Sequence, residues 1–317
     1  MTNQTTNLKT LFKTVGPGLL FASSAIGTSH LVLSTRAGAH HGIVFLWIIL
    51  GALILKYPFY EFGPRYANAT GYSLLKGYRD QGKWAVVLFL IFILVSMFAV
   101  TGAIGAVTAG LLTTMFGFGG VPVPILAGVI LLLTVALLLL GGFKGLDRLI
   151  KVICVVLLVT VVIAFIAVVI KGPITPVADF QAPVLLEGAG LTLLISLLGW
   201  MPSGLEASTM HSIWSIEKAN TEDYEPTLQQ VRFDFNLGYM FTTILALMFL
   251  VIGAFTVYGS GQLLEGNATQ FSNKLLHVFT SNLGQWSYPV LAIAAFGTIY
   301  GTLIAVMDAF PRTFVRG

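Results

Sequence analysis

Apolar residues dominate this chain in long unbroken stretches, with polar residues confined to short intervals between them. Eight stretches stand out, at 15–37, 43–64, 84–112, 122–142, 149–170, 188–213, 235–258 and 287–310. A membrane-crossing helix takes about 20 mainly apolar residues, so each stretch predicts one span. The first run starts late, continues to spanning length and lacks a clear small-residue cleavage site, which sets it apart from a signal peptide. The longest polar interval, 215–232, is acidic and helix-capable and reads as a connector.

Basic residues set the expected orientation. With the N-terminus inside, Lys9, Lys13, Arg65, Lys76, Arg79, Lys83, Lys144, Arg148 and Lys151 fall on the inner face, as do Lys218, Arg232, Arg312 and Arg316. Arg36, Lys171 and Lys274 fall on the outer face. Short inner loops carry the excess of Lys and Arg, so both ends are expected in the cytoplasm of a cell carrying this protein in its plasma or inner membrane.

Two stretches are interrupted. The first contains Gly16-Pro17-Gly18 and Gly27-Thr28-Ser29-His30; the sixth contains Gly188, Gly190, Ser196 and Gly199, then Met201-Pro202-Ser203-Gly204. Laid on each other, Gly16, Gly18, Leu19, Ser24 and Gly27 meet Gly188, Gly190, Leu191, Ser196 and Gly199. First and sixth spans of opposite orientation, both interrupted, are the mark of two inverted five-helix repeats. Proline and glycine let a helix break, and a break at membrane depth is tolerated where it lines a protein-enclosed cavity. The expected fold is an all-α single membrane domain over 1–317, with one repeat over 1–172 and a second, apparently incomplete, over 187–317. The inverted-repeat fold needs ten spans, so the eight counted suggest a truncated chain or, alternatively, a degenerate protein.

Composition narrows the function classes. Of 317 residues, 56% are hydrophobic and 9% charged, against about 25% charged in soluble domains. A soluble enzyme, a disordered chain and a nucleic-acid binder are excluded; the partners expected are the lipid bilayer and a small substrate. The net charge of +4 sits in loops. Cys154 is the sole cysteine and lies in an apolar run, as a core residue would. No GxSxG, P-loop or HExxH motif occurs, so no enzyme and no cofactor is expected. Asn267-Ala268-Thr269 matches a glycosylation sequon.

Ionisable residues within spans are costly and mark candidate sites. Glu206, four residues past Pro202, is a hard oxygen ligand for Mg²⁺, Ca²⁺ or Mn²⁺. His30 offers a neutral imidazole, Met201 a soft thioether, and Gly27 a backbone free to expose carbonyls. Thr28, Ser29, Ser203 and Ser208 add hydroxyls, or serve as caps and packing groups. His211 reads as a satisfied polar residue. Lys56 and Glu61 read as a pair or as snorkelling side chains, and Asp308 with Arg312 as a surface i,i+4 pair.

The chain resembles the Nramp family of divalent-metal transporters. The likeness rests on Gly16-Pro17-Gly18, Gly38-Ala39-His40-His41-Gly42, Ala69-Thr70-Gly71, Ile104-Gly105, Gly142-Phe143-Lys144 and Met201-Pro202. It implies the LeuT-type fold of inverted repeats with helices 1 and 6 broken. The family's metal-binding Asp-Pro-Gly-Asn falls here on Gly27-Thr28-Ser29-His30. Its two sixth-helix histidines fall on Ser203 and Ser208, and its third-helix proton-relay acids near Ala99 and Gly102. The resemblance therefore implies a transporter of a divalent cation (Mn, Fe or Mg type) as cargo, with weak or no proton coupling. A transporter of a small organic solute, or a non-transporting membrane receptor, is the alternative expectation.

Overall fold

In lipid a backbone amide has no water to bond, so an apolar run of spanning length closes its hydrogen bonds within a helix. The computed structural model describes residues 15–178, 180–261, 264 and 268–317 of the chain. Among the described residues there is no strand. Helix α1 (Pro17–Ile26) runs through a π-helical stretch (Gly27–Ser34) into α2 (Thr35–His41). There follow α3 (Phe45–Thr70), the short α4 (Leu74–Gln81), α5 (Lys83–Phe116) and α6 (Val123–Lys171). The second half holds α7 (Gly188–Trp200), α8 (Ala207–Glu222), α9 (Leu228–Thr256), α10 (Ala268–Leu283) and α11 (Ser287–Arg316).

Each of the eight expected stretches is mostly helical, the sixth with a non-helical interval at Met201–Glu206. Among the described residues, five continuous helical runs are long and apolar enough to cross a membrane, and Pro17–Thr70 and Val123–Lys171 each carry two of the expected stretches. The second run turns at Gly142, whose φ of 53° and ψ of −165° suit a residue without Cβ. Residues 215–232 are mostly helix, since α8 extends to Glu222 and α9 starts at Leu228 behind a Thr227–Gln230 capping box. Asn267 of the sequon, and Lys9 and Lys13, lie outside the described residues.

The interrupted first span sits at the centre. Leu20, Phe21, Ile26 and His30 have no exposed surface, and α1 packs on α9, α11 and α8. Where α1 crosses α9, a Cβ on Gly18 would strike the Asp234 carbonyl oxygen, and one on Gly238 would strike that of Gly18. Small residues let membrane helices approach this closely. The Phe21 ring then packs against Tyr60, His211, Phe235 and Tyr239.

The two interruptions differ in kind. In the first span the helix widens to π geometry and does not unwind. Gly27-Thr28-Ser29-His30 holds no proline, so every amide there keeps its N–H. The Ser29 hydroxyl bonds the Ala25 carbonyl and competes with the α ladder. In the sixth span Pro202 lacks an N–H, and the chain leaves helix after Trp200, resuming at Ala207.

Candidate cation site between the interrupted spans

The break at Met201–Glu206 contains a cis Met201–Pro202 peptide and frees carbonyls that need partners in the membrane. One face of α3 supplies them. Lys56 Nζ donates to Leu198 O at 2.5 Å and Gly199 O at 3.0 Å. One turn on, the Tyr60 hydroxyl donates to Ser203 O at 2.5 Å and Gly204 O at 3.1 Å. Ser208 Oγ completes the seam, donating to Phe59 O at 2.9 Å.

Between the interruptions lies a cavity of about 20 Å³ lined by Ser24, Ala25, Thr28, Ser29, Val100, Ile104, Trp200, Ser203, Glu206, Met210, Thr302 and Val306. A site of about 10–15 Å³ holds one water, so this space fits a single water or ion. Glu206 is 5% exposed, and its Oε2 has no hydrogen-bond partner. The carboxylate lies over Gly204, close enough that a Cβ there would stand 2.5 Å from Oε2. Ser24 donates to Phe21 O at 2.8 Å and Thr302 to Ser23 O at 2.6 Å. A hydroxyl whose proton is committed to a carbonyl keeps oxygen lone pairs for a cation. The possible donors are thus one carboxylate and several hydroxyl oxygens, which suit a hard divalent ion, with the Met210 thioether as a soft neighbour. No group of three or more His, Cys, Asp or Glu is gathered among the described residues.

Thr28, Ser29, Ser203 and Glu206 meet at this cavity. Gly27 stands beside it, where a Cβ would press on Thr302 Oγ1 at 2.5 Å. His30 is fully buried outside the lining, with Nδ1 2.7 Å from Ser29 Oγ and Nε2 3.0 Å from Thr242 O. Both ring nitrogens are thereby engaged. Met201 is buried but does not line the cavity, and Ser208 turns to the Phe59 carbonyl.

The polar residues expected to be structural stand as follows. Lys56 binds helix carbonyls, while Glu61 pairs with Arg65 at 3.2 Å and Arg232 at 3.4 Å. Asp308 and Arg312 do pair at 2.8 Å, but Asp308 is buried and also accepts Trp214 Nε1 at 2.9 Å. His211 has no hydrogen-bond partner on either ring nitrogen, but its Nε2 lies 3.9 Å from Asp234 Oδ2 and the ring stacks on Phe21 at 5.5 Å.

Sequence reading missed Ser24, Met210 and Thr302 at the cavity, and Asp234. Asp234 accepts Gly16 N–H at 2.9 Å and Gly18 N–H at 2.7 Å. Thr302 is a hydroxyl in an apolar stretch, a signal that was present. Around the same end of the bundle, Asp147 binds Lys151 at 2.8 Å and Lys218 at 2.9 Å, and Glu217 binds Arg312 at 3.3 Å and Arg316. These ties join α6, α8 and α11 at the face that carries the basic residues.

A small enclosed cavity between two interrupted spans of an all-α bundle of long apolar helices is the architecture of a multi-pass membrane transporter. The chain belongs to the natural resistance-associated macrophage protein-like (Nramp) family, whose profile matches residues 18–307. It is 35% identical over 307 residues to an uncharacterized protein of Pasteurella multocida, covering 96% of this chain and 70% of that protein. Its fold is similar to a crystal structure of the Eremococcus coleocola manganese transporter in complex with an aromatic bis-isothiourea substituted compound. That match has a TM-score of 0.66 and 18% identity, and covers 100% of this chain and 70% of that one. A histidine-to-alanine variant of the same transporter matches with a TM-score of 0.62 at 15% identity, with the same coverage.

Proposed function

We propose that this protein moves a divalent metal cation across a membrane by alternating access, with Glu206 as the charged ligand. The observation that carries the reading is the buried Glu206, which lines a one-ion cavity with Ser24, Thr28, Ser29, Ser203 and Thr302 and has one carboxylate oxygen, Oε2, without a partner. The manganese transporters of similar fold support the same cargo class. The volume favours an ion over an organic solute, since drug-sized ligands occupy about 300–1,000 Å³. The one carboxylate and five hydroxyls of the lining favour a hard ion such as Mn²⁺ or Mg²⁺, while the Met210 thioether is the single soft group there.

The metal is cargo and not a resident cofactor. Ala99 and Gly102 stand where the family carries relay acids, so uptake is driven by membrane potential with weak or no proton movement. Both ends lie in the cytoplasm of a cell whose plasma or inner membrane holds the protein. Residues 1–172 and 187–317 form the two inverted halves, and the ion pairs of Asp147, Glu61 and Glu217 close the inner face in this conformation.

Uptake of Mn²⁺ and Mg²⁺ into proteoliposomes tests this, under a negative-inside potential with internal pH recorded. The wild type is expected to show saturable uptake without acidification, and Glu206→Gln, correctly folded, none. Near-normal uptake by that variant would remove Glu206 from the site.

A further inference from the structure

The C-terminal end of a half-helix is a cation-binding feature. Its last carbonyls lack amide partners, and its dipole places about half a negative charge there. In α7 the Met201 amide takes the Leu197 carbonyl, and Leu198 and Gly199 are left. Both are taken by one ammonium, that of Lys56, reaching over from α3. Among the described residues no ion pair includes Lys56. The acid one turn along its helix, Glu61, is held by Arg65 and Arg232. The counter-charge of this intramembrane ammonium is therefore the helix end itself. Its contacts, carbonyl oxygens at 2.5 and 3.0 Å, are those a bound Na⁺ or K⁺ would make.

We infer that Lys56 is a tethered counter-cation, filling a monovalent-cation position at the end of α7 so that the transport cycle needs no second ion. This rests on the transporter reading, but the position itself does not. The ammonium also sets the charge balance of the break. Lys56 contributes one positive charge on the α3 side and Glu206 one negative charge on the cavity side, so only the arriving cargo alters the sum.

Replacing Lys56 with Met opens the two carbonyls. Mn²⁺ uptake would be measured with Na⁺, K⁺ or N-methyl-D-glucamine as the sole monovalent cation at equal ionic strength. The wild type and Lys56→Arg are expected to run equally in all three. Lys56→Met is expected to be slower in N-methyl-D-glucamine and restored by about threefold or more in Na⁺ or K⁺, as the empty position fills by mass action. Thermal unfolding of the same proteins gives a second readout that needs no transport. Na⁺ or K⁺ should raise the midpoint of Lys56→Met and leave the wild type unmoved. That result in a protein without metal uptake would sink the transporter reading and keep the cation position. If Lys56→Met does not accumulate folded, Lys56→Gln, neutral but still an amide donor, takes its place in both assays. A folded neutral variant indifferent to Na⁺ and K⁺ in both assays overturns the inference. So does a wild type or Lys56→Arg variant that itself depends on them.

Discussion

Asp234 holds the start of the first span from 216 residues away: its Oδ2 accepts the Gly18 N–H at 2.7 Å, while Oδ1 accepts that of Gly16 at 2.9 Å. Pro17 between them has no N–H, so one carboxylate satisfies every amide of the Gly16-Pro17-Gly18 turn. The negative charge also faces the positive end of α1, where it is favoured. Hydrogen bonds to a charged group contribute about 1.5–3 kcal/mol each. Asp234→Ala is therefore expected to lower the unfolding midpoint by several degrees, and Asp234→Asn by less. Thermal unfolding in detergent measures both; an unchanged midpoint in the alanine variant would contradict the anchoring role.

Gly204 fixes where the Glu206 carboxylate lies. A Cβ there would stand 2.5 to 2.8 Å from the carboxylate atoms, inside contact distance, so the side chain must move. Gly204→Ala is expected to weaken metal uptake by about tenfold, roughly 1.4 kcal/mol, in protein that still folds. Dose-dependence of Mn²⁺ uptake by purified variant and wild type decides this, and equal half-saturation would show that the carboxylate position does not matter.

His30 separates a structural from a ligating histidine. With Ser29 and Thr242 on its two nitrogens, His30→Ala removes two buried hydrogen bonds, at about 0.5–1.5 kcal/mol each, although Ser29 keeps its bond to the Ala25 carbonyl. Stability should fall while the folded fraction keeps its half-saturation for metal within about twofold, a change of well under 1 kcal/mol. A tenfold weaker apparent affinity at unchanged stability would instead put the imidazole on the ion.

Lys218 and Asp147 couple α8 to α6 at 2.9 Å, with Lys151 on the same carboxylate oxygen. Breaking a buried pair costs about 3–5 kcal/mol when a charge is stranded, and Lys151 offsets part of that here. Lys218→Met should thus destabilise by less than Asp147→Ala, which takes the shared partner from two lysines and leaves Lys218 only Glu222 at 3.7 Å. In a double-mutant cycle the combined variant should fall short of the sum of the two. Strict additivity would mean that the pair is not coupled.

Much of the fold could be read from hydropathy and helix breakers. Apolar runs marked the long helices, and Pro202 located the break in the sixth span because a missing N–H acts locally. What escaped depended on distance or on polarity. Helix α10 holds Asn273, Lys274 and His277 and is too polar and short for a membrane-span criterion, though it packs on α5 and α11. Glu206, Thr28, Ser29 and Ser203 were visible at the candidate site because they border the breaks. Thr302 showed only as a hydroxyl in an apolar stretch, and neither it nor Asp234 could be assigned a role, since those roles arise from contacts 279 and 216 residues away in sequence. His30 stood out as an intramembrane histidine, yet nothing in the order of residues tells a ring facing a cavity from one facing Thr242.

The π-helical stretch at Gly27–Ser34 makes the two interrupted spans mechanically unlike. A widened coil keeps its amides bonded along its length, so α1, the stretch and α2 form a single shaft with a soft section. Twist applied at α2 travels through it to α1. At Trp200 the other span ends in a corner pinned by Lys56 and Tyr60, and twist applied to α7 is delivered to α3 instead. One interrupted span is a torsion rod and the other a bracket, so opposite faces of the ion cavity answer to different parts of the bundle.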